Sequence, residues 1–156
     1  MRKRLINQHL KNLSDDQSWM DLQQLAQVEL TSEDPAYPIE AALSASTGEG
    51  WRAAESGKQT IRFLFDEAQK INRIQLVFCE QEYARTQEFL LRSSPDRGYS
   101  YREIVRQQYN FAPPGVTDEF EDYAVDLVGV TVLELTIVPD ISGGDARASM
   151  RQARIA

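Results

Sequence analysis

Apolar and polar residues alternate along most of this chain from Ala26 onward. Val28 and Leu30 alternate with Gln27 and Glu29 before Glu33-Asp34-Pro35 and Pro38 interrupt the run, since proline fixes φ and removes a ladder donor. Residues 59–65 then put Ile61, Phe63 and Phe65 on one face at period two, and residues 71–78 repeat the pattern through Ile74 and Leu76. Asp66-Glu67-Ala68-Gln69 separates the two runs, so this region predicts a β-hairpin. Further strands are predicted over residues 86–93, 101–108, 118–127, 130–138 and 153–156. The breaks between them carry turn chemistry: Ser94-Pro95-Asp96-Arg97-Gly98, Pro113-Pro114-Gly115 and Ser142-Gly143-Gly144-Asp145, where glycine permits the positive φ that many turns need. Ahead of all this, Trp19, Leu22 and Leu25 recur at helical spacing behind Ser14-Asp15-Asp16-Gln17, which has the look of a capping box. Residues 1–25 therefore predict an N-terminal arm, either a short helix or irregular.

Seven or eight strands at such intervals make an all-β fold, an antiparallel β-sandwich of jelly-roll type. Its expected core is Ile61, Phe63, Phe65, Ile74, Leu76, Phe89, Leu91, Val125, Leu133, Leu135 and Ile137, each on the apolar side of its strand. A chain of 156 residues buries one core comfortably and two poorly. With no internal repeat and no Gly/Ser/Pro-rich linker, the expectation is one domain over residues 1–156, with the sandwich from residue 26.

Charge narrows the function classes. The chain has 17 basic and 24 acidic residues and a net charge of −7, a field that repels phosphate backbones and anionic membrane surfaces, so nucleic acid is not the expected partner. Cys79 and His9 are the sole cysteine and histidine, too few for an internal disulfide or a zinc cluster. A reducing, cytoplasmic setting is expected. The start Met1-Arg2-Lys3-Arg4 resembles the charged end of a signal peptide, but Asn7, Gln8, His9, Lys11 and Asn12 break any apolar stretch behind it. No run reaches the ~20 apolar residues of a membrane span. Nucleophile-elbow, metalloprotease and phosphate-loop motifs are all missing, and the acidic run 118–122 reads as a solvated rim, so no enzyme is expected. Cys79 has no basic neighbour in sequence to activate it.

Several of these segments resemble the discoidin, or coagulation factor 5/8 type C, family of galactose-binding-like β-sandwiches. The resemblance rests on Thr31-Ser32-Glu33 as a small-polar turn after the first strand, residues 39–43 opening a loop, Trp51 ahead of the next strand, and the strand patterns 61–65 and 71–78. Phe89-Leu90-Leu91-Arg92-Ser93-Ser94 with Tyr101-Arg102-Glu103-Ile104, and the closing residues 146–155, extend it to about residues 26–156. Such a resemblance implies a non-catalytic binding module for a carbohydrate or other small polar ligand, held at the loop ends. It also implies a structural calcium site, which this sequence argues against: the loop reads Ser44-Ala45-Ser46-Thr47-Gly48-Glu49-Gly50 and Gln152 stands where a glutamate is usual, whereas calcium prefers several hard oxygen ligands. No cofactor is therefore expected. Residues 51–61 are also locally similar to the N-terminal domain of the animal single-strand-break repair scaffold, but the acidic balance speaks against a DNA role. An intracellular protein-interaction or assembly module is the alternative, with a protein partner in place of the sugar.

Within that frame the candidate ligand residues are Tyr83 and Arg85, in the connection after the second long strand pattern, with Glu33, Phe111, Asp145 and Arg147 as neighbours on other connections. Tyrosine and phenylalanine offer a stacking surface to a sugar's C–H face, and arginine a planar fork of donors. Each has a plainer alternative: an ion pair of Arg85 with Glu80 or Glu82, Phe111 as a plug at the core edge, Asp145 and Arg147 as caps of the sandwich. Trp51 reads as core more readily than as a sugar platform.

Overall fold

The computed structural model describes residues 18–44 and 48–156. The Ser14-Asp15-Asp16-Gln17 motif, His9 and the charged start lie outside these residues. Among the described residues there are eight strands: β1 (Ala26–Leu30), β2 (Trp51–Ser56), β3 (Gln59–Cys79), β4 (Arg85–Ser94), β5 (Arg102–Phe111), β6 (Asp118–Val138), β7 (Arg147–Met150) and β8 (Gln152–Ile155). Among the described residues two single-turn helices, α1 (Leu22–Leu25) and α2 (Glu40–Leu43), precede β1 and β2 respectively. Among the described residues no helix is long and apolar enough to cross a membrane.

β3 and β6 organise everything else. The first half of β3 lies between β1 and the second half of β6, which in turn pairs with β4, and β4 with β5. The second half of β3 lies between β8 and the first half of β6. Register shifts between Leu64 and Arg73 break the β3–β6 ladder at its midpoint, and there the pair crosses from one layer to the other. The layers face each other across the core, as the Phe78 and Phe89 rings at 5.4 Å show. β2 and β7 form a separate two-stranded antiparallel ribbon.

The expected hairpin over residues 59–78 is thus one bent strand whose halves do not pair with each other. Asp66, Glu67, Ala68 and Lys70 are exposed at the corner, and this stretch lacks the Asn-Gly or Gly-Gly chemistry that a tight reversal requires. Likewise residues 118–127 and 130–138 are one strand, because Gly129 at φ 71° absorbs an irregularity within β6 instead of ending it. Residues 51–56, outside the predicted strands, form β2, and the closing segment divides at Arg151 into β7 and β8.

The core follows the predicted alternation. Ile61, Phe63, Phe65, Ile74, Leu76, Phe89, Leu91, Leu133, Leu135 and Ile137 are all buried, and Val125 is half-buried against them. Trp51 is fully buried and donates its indole N–H to the Ser32 carbonyl at 3.2 Å, so the ring serves the core. Burying an aromatic of this size is worth about 3–5 kcal/mol against truncation to alanine. On the outer face of the β1–β5 layer Glu134 bridges two strands, accepting from Arg62 at 2.8 Å and from Arg92.

Candidate functional site

One end of the sandwich carries a cleft of about 820 Å³. Three pieces of chain enclose it: the β3–β4 connection with Glu80 and Tyr83, the β6–β7 loop from Asp140 to Arg147, and the outer face of the β2–β7 ribbon with Tyr37 beside it. Loop chemistry explains the openness. Gly143 and Gly144 hold φ of 89° and 94°, a left-handed pair that only glycine adopts without strain, and Asp140 takes the Ser142 N–H and hydroxyl at 3.1 and 2.7 Å. Those bonds hold the Asp140 carboxyl below its ordinary value.

Tyr83 is the exposed aromatic of the cleft, at 68%. Asp145 and Arg147 are exposed on the opposite loop and the start of β7. Arg85 lines the same cleft but is spoken for. Its side chain, 2% exposed, gives Nε to Glu80 at 2.7 Å and Nη1 to Gln87 and the Pro139 carbonyl at 3.2 and 2.7 Å. The guanidinium also sits 4.7 Å above the Phe111 ring. Burial raises the Glu80 carboxyl, but the Arg85 hydrogen bond and the Glu82 N–H outweigh it and hold the group below its usual value. Arg85 thus ties the β3–β4 connection to the end of β6 while it lines the cleft.

Two of the expected neighbours lie elsewhere. Phe111 is 2% exposed and packs against Arg85 without lining the cleft, because the strand β5 extends three residues further than its pattern predicts. Glu33 accepts the Ile39 N–H at 3.0 Å and fastens the approach to α2 without lining the cleft. Conversely, Tyr37, Arg52, Ser149 and Arg151 line it and were not candidates. Their signal was present: Arg52 alternates with buried Trp51 and Ala53, and Arg147, Ser149 and Arg151 with buried Ala148 and Met150. Cys79 also borders the cleft, with burial and a hydrogen bond to Asp118 raising its thiol, which keeps it from acting as a thiolate.

Beneath the cleft a polar chain runs into the sandwich. Gln87, fully buried, donates to Glu119 at 3.1 Å. Glu119 is 1% exposed, its Oε2 meets no donor, and burial, reinforced by the nearby Glu121 carboxyl, pushes it up to about 8. Glu121 in turn accepts from the Tyr123 hydroxyl, whose pKa is raised by burial and by that carboxylate.

At the loop where the resemblance implies calcium, Gln152 donates its amide to the Ser44 carbonyl at 3.5 Å. An amide N–H, and not a carboxylate oxygen, thus faces that carbonyl from residue 152. Among the described residues no three His, Cys, Asp or Glu side chains gather as metal ligands.

Solved structures with the same architecture include family 32 carbohydrate-binding modules. That of AlyQ, in complex with 4,5-unsaturated mannuronic acid, is 20% identical with a TM-score of 0.62 over 89% of this chain and 98% of the module. The module of C. perfringens NanJ, in complex with galactose, is 10% identical with a TM-score of 0.65 over 88% and 97%. A pectin-binding module is 15% identical with a TM-score of 0.60 over 85% and 90%. The fold, an antiparallel β-sandwich, is the one these modules share. No protein-family model and no curated protein matches the chain. At such identities the likeness speaks for the fold alone, and the site has to be read from its own residues.

Proposed function

We propose that the protein is a non-catalytic carbohydrate-binding module whose ligand sits in the cleft between residues 79–85 and 140–147. The observation that carries this reading is the cleft itself. A volume of about 820 Å³ lies in the range of small-ligand sites, and Tyr83 presents an exposed ring within it. The same cleft is lined by directional groups, Arg147 and Asp145 at one loop and Arg52 and Ser149 on the ribbon. A sugar presents an apolar C–H face and a rim of hydroxyls, and a stacking ring with convergent donors and acceptors matches both. Arg85 and Glu80 hold the Tyr83 loop in shape, so its ordering cost falls on folding and not on binding. The modules of AlyQ and NanJ carry sugars on the same architecture, which supports the reading by analogy.

A glycan array probed with the labelled protein and with Tyr83→Ala tests it. The expected result is retention of a defined glycan class by the parent protein and its loss by the variant, with unchanged melting. If no glycan is retained, while the folded protein captures a stoichiometric protein partner from its native lysate through the same cleft, the module is a protein-interaction domain.

A further inference from the structure

We infer that two copies of this chain join side by side into a closed dimer, β5 of each copy extending the sheet at residues 118–127 of the other. β5 pairs only with β4, and residues 118–127 of β6 pair only with β3, so each layer ends in a strand with one edge unpaired. The Ala112–Val116 bridge and the bond from the Tyr109 hydroxyl to the Asp118 carbonyl hold both edges to the same side of the sandwich. Among the described residues no other backbone bonds them. The opposite side is covered: Met20 donates its N–H to the Ile155 carbonyl of β8 at 2.7 Å, and α1 buries Leu22. Along the open side the core is only half covered, at Val105 and Tyr109 from one layer and at Tyr123, Val125 and Leu127 from the other. Unpaired backbone beside apolar side chains is a template for a further strand.

Charge selects that strand. Residues 118–127 hold five acids and no base, whereas β5 holds Arg102 and Arg106 against the single acid Glu103. Two acidic edges repel each other, but the acidic edge of one copy suits β5 of the next. A two-fold axis parallel to the strands makes this match twice, because it exchanges the layers and keeps strand directions, so that β5 meets residues 118–127 of the second copy antiparallel in both layers. The axis also keeps each residue's level. Counting antiparallel from the Ala112–Val116 bridge puts Arg102 level with Asp126 and Arg106 with Asp122, and Arg102 and Asp126 line one small hollow on this side. Arg106 and Asp122 already pair with Glu88 and Arg73. Arg102 and Asp126 form no ion pair among the described residues, and they are the pair a second copy completes. Ten residues at about 3.3 Å each, over two layers roughly 20 Å across with their side chains, offer about 650 Å² per copy, which clears the roughly 1,000 Å² total of a specific interface. Both clefts stay at the same end of such a dimer, which on the carbohydrate reading presents two sites to one glycan-bearing surface.

Sedimentation velocity on the intact chain from about 1 to about 500 µM, the span of modest affinities, tests the inference. The expected result is a monomer–dimer equilibrium within that span. Arg102→Glu and Asp126→Lys each set like charges against one another at the contact and should weaken association at least tenfold, with melting of the dilute monomer unchanged. Mixed in equal amounts, the two variants should regain the association of the parent, because every contact then pairs opposite charges. That restoration cannot come from a defect within one copy. A monomer at every concentration overturns the inference, and protection of the amides of residues 118–127 from exchange in that monomer would show that the chain's own residues cover the edge. A dimer untouched by either substitution, or a loss that mixing does not restore, places the contact elsewhere and overturns it too. None of these outcomes bears on glycan binding at the cleft, which the array tests separately.

Discussion

Replacing Glu119 with glutamine should stabilise this protein, and increasingly so as pH rises. Glu119 is a carboxyl with one oxygen bonded to Gln87 and the other without a donor, 1% exposed between the layers and next to a second carboxyl. Burial and Glu121 raise its pKa from an ordinary 4.5 to about 8. The folded state therefore keeps a proton between those values that the unfolded chain releases, and stability declines as pH climbs from about 4.5 to about 8. At about 1.4 kcal/mol for each tenfold change in proton affinity, the ceiling is about 5 kcal/mol. Strand relaxation and water entry at the sandwich edge reduce it, and the cost of a single unmet buried oxygen, about 1–3 kcal/mol, is the better guide. Glutamine keeps the acceptor for Gln87, carries no charge and offers an N–H toward Glu121. Glu119→Gln should thus gain about 1–2 kcal/mol at pH 8.5, which for a domain of this length is about 3–6 °C in Tm, and little at pH 4.5. Differential scanning calorimetry from pH 4.5 to 8.5 on both proteins measures it. A parent Tm that does not fall across that window, or a variant less stable at pH 8.5, refutes the reasoning.

Arg85→Ala should lower stability by about 3–5 kcal/mol, because it strands Glu80 and empties a buried guanidinium site; denaturant melts check this, and an unchanged midpoint would return Arg85 to the role of a free ligand contact. Glu134→Gln should destabilise near neutral pH. Burial opposes the charge of Glu134, but Arg62 and Arg92 win and lower its pKa, so the contribution is present above the unfolded value and fades as pH drops through the folded one. The loss at pH 7 should be about 1.5 kcal/mol, the low end for charged hydrogen bonds because both arginines are partly in water, and near zero at pH 3; equal losses at both pH values would contradict the assignment. Melting with and without a calcium chelator should give one midpoint, since a cation bound only by the folded state would raise it; a drop of several degrees on chelation would show that the Ser44–Gln152 contact is not the whole of that site.

Much of the sandwich was legible because alternation is a local signal. Ile61, Phe63 and Phe65, or Leu133, Leu135 and Ile137, announce a buried face whatever they pair with. Pairing is not local. Asp66-Glu67-Ala68-Gln69 reads as a turn in sequence, and only the ladders to β1, β8 and β6 show it as a corner crossing between layers. Residues 51–56 gave no strand pattern because Ala53-Ala54 has weak strand propensity, and with β2 went the pairing that places Arg52 and, across the ribbon, Arg147 beside the cleft. Tyr83, Arg85, Asp145 and Arg147 were placed in connections, and the topology brings those connections to one end. Sequence position could not tell Tyr83, which stands in solvent, from Arg85, which Glu80, Gln87 and Pro139 enclose. Glu119 was read as part of a solvated rim, yet it occupies the inward side of its strand; an acid on an apolar face is invisible to patterning when its neighbours Glu121 and Asp122 are acids too.

The central claim, sugar binding at this one cleft, is tested most directly by mapping backbone amide shifts on the ¹⁵N-labelled protein while titrating an oligosaccharide selected on the glycan array. The account predicts saturable shifts confined to residues 79–85, 140–151 and the Tyr37–Arg52 side of the ribbon. Shifts centred on the far end, at the Ser94–Tyr101 turn, or no saturable shift with any glycan, would contradict it.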